Sequence, residues 1–312
     1  HFTPIYPILA GEPAGIGSLV YTFTRIAALL DRPAFLEDAQ AAAALISPTW
    51  IAADNQLDIL NGSAGAILAL LALYNQTNDP ELLATAVCCG DRLLQTRSTN
   101  NRGFQAWHQI GTDFITGFSH GAAGIAYSLL RLYAATAETR FLETATASIA
   151  YEQSVFDKLV GNWPDFRAAM QTNSQSKFTT AWCHGAPGIA LARMGGISVL
   201  NTAQIEQDLV AALKTTRNFR LLGKDHLCCG NFGRIEVLQI AAQTYGDREL
   251  SDLAISQAST LIHRAKRRGS YYLFDKFTPG IFNPAFFQGT SGIGYQLLRL
   301  AQPKLPSVLL LT

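Results

Sequence analysis

Apolar residues recur along this chain at helical spacing, in runs of two kinds. The first kind is apolar almost all round: "AILALLALY", "IAYSLLRLY", "IALARMGGI", "RIEVLQIAA" and "IGYQLLRLA". The second sets an apolar stripe against polar positions, as in "NDPELLATAVCCGDRLLQ", "AETRFLETATASIAYEQSVF", "NTAQIEQDLVAALKTTR" and "GDRELSDLAISQASTLIHRA". Helices of the first kind need cover on more than one side, whereas the second kind has one face for a core and one for water. Sustained period-two alternation is absent, so the pattern predicts helices and no strands.

Every run of the first kind follows a Gly-x-x-Gly: Gly62–Gly65, Gly121–Gly124, Gly185–Gly188, Gly230–Gly233 and Gly289–Gly292. A sixth copy, "EPAGIGSLVYTFTRIAALL", has Glu12 in place of the first glycine. Measured at the second glycine, from Gly15 to Gly292, the copies are spaced by 50, 59, 64, 45 and 59 residues. The predicted unit is a helical hairpin: a glycine loop, an apolar inner helix and an amphipathic outer one. Asp79 is the expected N-cap of one outer helix, with Pro80 at its first position. Solenoid repeats run at more regular periods with charged outer surfaces, so these hairpins favour closure into a ring. The expected fold class is all-α, an α/α toroid (barrel) with inner and outer helix rings, over a single domain spanning residues 1–312. In such a barrel the glycine loops share one end, and the inner-helix N-termini converge on one cavity.

Composition narrows the function classes. The chain is 48% hydrophobic and 15% charged, with 24 Lys+Arg against 23 Asp+Glu. A net charge of +1 argues against nucleic acid as the main partner. The longest apolar run falls short of the roughly 18 residues a membrane segment needs, and no signal peptide is visible. The first residue is His1 and not Met, which reads as a processed chain or a piece of a longer one, the piece being favoured. Five cysteines fit a reducing compartment better than a disulfide framework, so a cytoplasmic location is expected.

Cysteines supply the candidate chemistry. Cys88 and Cys89 precede Gly90 inside an outer-helix run, where cysteine acts as a small hydrophobe. Cys183, Cys228 and Cys229 instead sit immediately before Gly-x-x-Gly loops, in "AWCHGAPG" and "HLCCGNFG". In the expected ring they share a rim. Three thiolates with one open position suit a catalytic zinc, and helix N-termini favour the thiolate form. Spacing alone leaves zinc and simple packing both open, since C…CC is no established zinc pattern. His120, in "GFSHGAAG", occupies the same pre-glycine slot as His184 and Cys229. Asp58, in "LDILNGSAG", either orients an imidazole or caps a helix. His108 and His226 are weaker candidates, and His263 belongs on a solvated outer helix.

Together these motifs, with "FFQGTSGIGYQLLRLA" and "LPSVLLL", resemble the lanthionine synthetase cyclases (LanC-like). The likeness is greatest to the C-terminal cyclase domain of bifunctional class II synthetases (LanM) and spans most of the chain from Glu12 to Leu311. The resemblance implies a zinc-containing toroid that adds a cysteine thiol to a dehydroalanine or dehydrobutyrine of the same precursor peptide, forming a thioether. It maps the zinc ligands onto Cys183, Cys228 and Cys229, proton transfer onto His120, and the acid that tunes it onto Asp58. Trp182 and His184 flank a ligand as supporting residues. CCG replaces the CHG of stand-alone cyclases, and Glu12 breaks the first loop. The resemblance further implies a missing upstream hairpin and, in the full-length protein, a covalently linked dehydratase region. The expected partner is a dehydrated precursor peptide, with no nucleic acid and no membrane segment. The rival reading is a LanC-like protein that binds zinc and a thiol or peptide without cyclising it; an inert α/α scaffold is a third.

Overall fold

The computed structural model describes residues 15–108, 114–167, 178–221, 223–274 and 282–312. These form two compact units. The first takes in the described residues up to Ile115, then Ser119–Ser154 and Leu311–Thr312; the second takes in Thr116–Phe118 and those of Val155–Leu310.

The first unit contains α1 (Ile16–Leu30), α2 (Ala34–Ala43), α3 (Pro48–Ala53), α4 (Ser63–Thr77), α5 (Pro80–Thr96), β1 (Ser98–Thr99), β2 (Gln105–Ala106), α6 (Ala122–Thr136) and α7 (Thr139–Ser154). Helices pair as hairpins, α1 with α2, α4 with α5 and α6 with α7, while α4 also packs on α1 and α6. Covered on several sides, α4 is buried at every residue from Ser63 to Leu73. Asp79 caps α5 by accepting from the Glu81 N–H, and Pro80 opens that helix. Strands β1 and β2 form an antiparallel ladder. At two residues each they are too short to leave an alternating pattern, which is why the sequence did not announce them. The short α3, which packs on α5, was likewise not foreseen.

The second unit contains α8 (Ala186–Gly196), α9 (Ala203–Arg217), α10 (Asn231–Tyr245), α11 (Arg248–Arg268) and α12 (Thr290–Ala301). Helix α10 packs on each of the other four, and its residues Asn231 to Ala242 are all buried. Two of the helices expected to be covered all round are one-sided within their units. Helix α1 leaves Leu19, Leu29 and Leu30 exposed, and α12 buries only Gly292, Ile293, Gln296 and Arg299. Each has few packing partners in its unit: α2 and α4 for α1, α10 for α12.

The glycine loops have a mechanical explanation. Gly62, Gly121, Gly230 and Gly289 cap their helices in extended conformation without a side-chain acceptor. First-turn N–H groups, which have no partner inside a helix, go to carbonyls of the preceding loop. Ala64 donates to Leu57, Ala122 to Ile115, Phe232 to Asp225 and Thr290 to Asn283. The second glycine lets that loop press onto the helix. A Cβ at Gly188, Gly233 or Gly292 would overlap the carbonyl oxygen of Trp182, Leu227 or Phe286 respectively. Those carbonyls stand immediately before Cys183, Cys228 and Phe287, so the glycines set where those side chains begin. Gly15 caps α1, while Glu12 lies outside the described residues.

Candidate active site

In the second unit, the loops before α8 and α10 bring three cysteines together. Cys183 Sγ lies 3.3 Å from Cys229 Sγ, and Cys228 Sγ lies 3.4 Å from Cys229 Sγ. All three sulfurs fall within 4.8 Å of one another, and all are free thiols. Four sulfurs around zinc at about 2.3 Å would stand roughly 3.8 Å apart, so this donor set fits zinc closely. Cys183 and Cys228 are buried and Cys229 is half-buried, which leaves one side of the cluster open. It is the one group of three or more potential metal-ligating side chains among the described residues.

The cluster shares protons unevenly. Cys229 is held down to about 2 by S–H donation from Cys183 and Cys228, helped by the charges of His226 and Lys224. Cys228 is drawn down by Cys183, but its bond to Cys229 and burial prevail and push it up to about 12. Hydrogen bonds to both neighbours, then burial, push Cys183 up as well. The crowded thiols thus hold one negative charge and resist more. Helix α10 assists through its macrodipole alone, because the Asn231 and Phe232 N–H groups are taken by the Lys224 and Asp225 carbonyls.

One loop departs from the others, and it decides where two residues point. Gly185 adopts φ +81°, in the left-handed region that favours glycine. A Cβ there would also overlap the Thr179 carbonyl. The Ala186 N–H at the start of α8 donates 2.8 Å to Asn162 Oδ1 instead of to its own loop. Cys183 consequently reaches the sulfur cluster, whereas His184 turns into the core, fully buried, with Nδ1 3.0 Å from the Thr116 carbonyl. Trp182 is packed between Phe118 and Phe287, at ring separations of 5.6 and 5.3 Å, and donates through Nε1 to Leu309 O at 3.3 Å.

Near the cluster stand Arg167, its partner Asp165 and Arg234, none of them singled out from the sequence, and His226, a weaker candidate there. Asp165 accepts from Arg167 Nε and Nη2, at 3.0 Å each, and from Thr179 Oγ1 at 2.9 Å. Burial pushes its carboxyl up, but the Arg167 hydrogen bonds, the His184 charge and Thr179 hold it at about 2. The Arg167 guanidinium also feels the negative charge of the thiol cluster. Arg234 is brought down to about 10 by burial, against the charges of Asp225 and of the thiol cluster. His226 is buried and its Nδ1 accepts from the Cys229 N–H at 3.3 Å. Its position four residues before Gly230 matches that of Asp58 before Gly62, the one signal in the sequence that marks it.

In the first unit, His120 Nδ1 lies 2.7 Å from Asp58 Oδ2. Asp58 is buried, and its other carboxylate oxygen accepts from the Asn61 N–H at 2.7 Å. A backbone bond from Ile59 N to Ser119 O ties the two loops side by side. Asp58 therefore orients the imidazole rather than merely capping α4. Cys89 is buried beside Gly90, where a Cβ would overlap Leu132 and Phe141, which makes this CCG a packing feature. Burial, then the Asp54 charge, pushes the Cys89 thiol far above its ordinary value. His108 is exposed against the Phe114 ring, and His263 is exposed on α11.

Comparison with known proteins places this geometry. The sequence model for "Lanthionine synthetase C-like protein" matches residues 10–310. The chain belongs to this family. Among curated proteins it is 24% identical over 261 residues to the lacticin 481/lactococcin biosynthesis protein LcnDR2 of Lactococcus lactis subsp. lactis. That alignment covers 79% of this chain and only 25% of the relative, so the chain spans about a quarter of that protein's length. Among solved structures, nisin cyclase superposes with a TM-score of 0.73 at 15% identity, covering 97% of this chain and 80% of that one. A sugar epimerase from a ruminal bacterium superposes with a TM-score of 0.58 at 14% identity, covering 84% and 76%. The lanthionine synthetase C-like chain thus has the all-α, α/α toroid fold. Among its described residues, no helix is long and apolar enough to cross a membrane.

Proposed function

We propose that the chain is a zinc-dependent lanthipeptide cyclase, which joins a peptide cysteine to a dehydroalanine or dehydrobutyrine of the same precursor as a lanthionine or methyllanthionine. The observation that carries this reading is the gathering of Cys183, Cys228 and Cys229 into one half-open sulfur cluster. Their thiolates would hold the zinc, and a bound zinc supplies the Lewis acidity that lets a peptide thiol ionise near neutral pH. In the reaction a bond forms between sulfur and the alkene β-carbon. The π electron pair moves onto the acceptor's carbonyl oxygen, and the thiol's proton ends on the α-carbon. His120 handles that proton, and Asp58 keeps the imidazole in one tautomer and orientation. Trp182 holds the Cys183 backbone in place through its packing. His184 supports the same loop from the core.

The CCG sequence and the partial overlap with LcnDR2 support a cyclase domain of the bifunctional class II kind, joined to a dehydratase region in the full-length protein. Incubating the zinc-loaded chain with a dehydrated, cysteine-containing peptide tests the reading, with thiol loss followed by alkylation and mass spectrometry. The expected outcome is progressive loss of alkylatable thiol at constant peptide mass, abolished by Cys183→Ala. A zinc-loaded protein that binds the peptide and leaves its thiol count unchanged would support the binding-protein reading instead.

A further inference from the structure

Eight of the 24 Lys and Arg residues fall in two short stretches, residues 214–224 and 264–268, where none of the 23 Asp and Glu occurs. The remainder of a chain with net charge +1 is therefore acidic. The fold joins the two stretches within the second unit. Arg264 donates from Nη1 to Leu221 O at 2.7 Å and from Nη2 to Asp225 Oδ1 at 2.5 Å. Asp225 in turn accepts from Tyr272 N at 2.9 Å, and the Arg268 guanidinium lies 5.1 Å from the Tyr272 ring centre. The C-terminal end of α11 is thus clamped onto the loop that runs, three residues later, into Cys228. Arg267 and Arg268 stand three and four positions beyond Arg264, on the same helix face. Arg217, Arg220, Arg267 and Arg268 are exposed, and no carboxylate among the described residues pairs with them. Cations in the last turn of a helix complement its macrodipole, which accounts for Arg217, Arg267 and Arg268. That does not account for Arg220 and Lys224, which lie in the loop beyond α9.

We infer that this basic surface, built from Arg217, Arg220, Lys224, Arg267 and Arg268, docks an acidic segment of the substrate peptide beside the sulfur cluster. The inference rests on the reading of the substrate as a peptide. A patch this local, on an otherwise acidic protein, suits a short acidic stretch of peptide. It does not suit a nucleic acid, whose regular phosphates demand a longer basic track. Exposed like charges of this kind act by raising the local concentration of an oppositely charged partner and its association rate, and salt screens them.

Fluorescence anisotropy tests the docking without requiring catalysis. The probes are a labelled peptide with a run of Glu and Asp, its Gln/Asn counterpart, and a single-stranded oligonucleotide of equal charge, each titrated with the full chain at low and high salt. The acidic peptide is expected to bind, more weakly in high salt, and the neutral one to show no binding. Arg220→Glu combined with Arg267→Glu and Arg268→Glu should weaken binding roughly tenfold or more, with zinc content and thermal midpoint unchanged. Should that variant misfold, Arg267→Gln with Arg268→Gln is read in its place. Equal binding of the acidic and neutral peptides, an unaffected variant, or tighter binding of the oligonucleotide would each overturn the inference. Acidic-peptide binding by a chain that cannot cyclise would sink the cyclase reading alone. Cyclisation without acidic-peptide binding would sink the inference alone.

Discussion

At the scale of single residues, the His120–Asp58 pair makes the clearest chemical statement outside the sulfur cluster. A buried carboxylate on Nδ1 fixes that nitrogen as the donor and assigns proton exchange to Nε2. His120→Asn should slow cyclisation by roughly 10²- to 10⁴-fold, measured by thiol loss, with zinc content unchanged. Asp58→Asn should cost less and move the pH–rate profile. Asp165 gives a prediction about stability. Its carboxyl is held at about 2, below its ordinary 3.8. A depressed folded-state value adds stability that is fully present above the ordinary carboxylate range and lost as pH falls from about 4 towards 2. The urea midpoint of the wild type should therefore drop across that window, and Asp165→Asn should lose the part of the drop that Asp165 supplies. Cys183, Cys228, Cys229, His120 and Asp58 were legible because slots before a repeated glycine can be compared down the chain. Asp165 and Arg167 were not, since they lie far upstream of the loop they serve and share no slot with it. The inward turn of His184 was hidden as well, because it follows from the φ of Gly185.

At the scale of elements, the inner glycines decide whether a loop can rest against its helix. Gly188→Ala would push a methyl into the Trp182 carbonyl. The loop must then move, at a cost of about 1–3 kcal/mol for overpacking, and Cys183 moves with it. Urea unfolding should report the destabilisation, and zinc titration of the same variant should show weakened binding. The paired helices were readable from periodicity and caps, with Asp79 and Pro80 where they were expected. Periodicity could not distinguish α4, buried all round, from α1 and α12, because the distinction depends on how many neighbours each acquires and not on its own residues.

At the scale of the whole molecule, the repeat of Gly-x-x-Gly loops carried the fold class, and a buried polar network completes the second unit. Arg299 Nε donates to Glu236 Oε2 at 2.9 Å, and Ser307 Oγ donates to Glu236 Oε1 at 2.6 Å. Arg299 also bonds the Leu305 carbonyl, so the segment from Leu305 to Ser307 is stitched onto α10 and α12. Arg299→Leu would strand the Glu236 carboxylate in the core, at a cost of about 3–5 kcal/mol in chemical denaturation. No local pattern foretold this network, in which Glu236 stands 63 residues from Arg299 and 71 from Ser307. Whether three cysteines from two loops form one zinc site is read from the zinc stoichiometry of the purified chain and its single-cysteine variants. About one zinc per chain is expected in the wild type. Zinc should be lost in Cys183→Ala, Cys228→Ala and Cys229→Ala, and fully retained in Cys88→Ala and Cys89→Ala. Full zinc occupancy in Cys228→Ala would rule out the three-cysteine site.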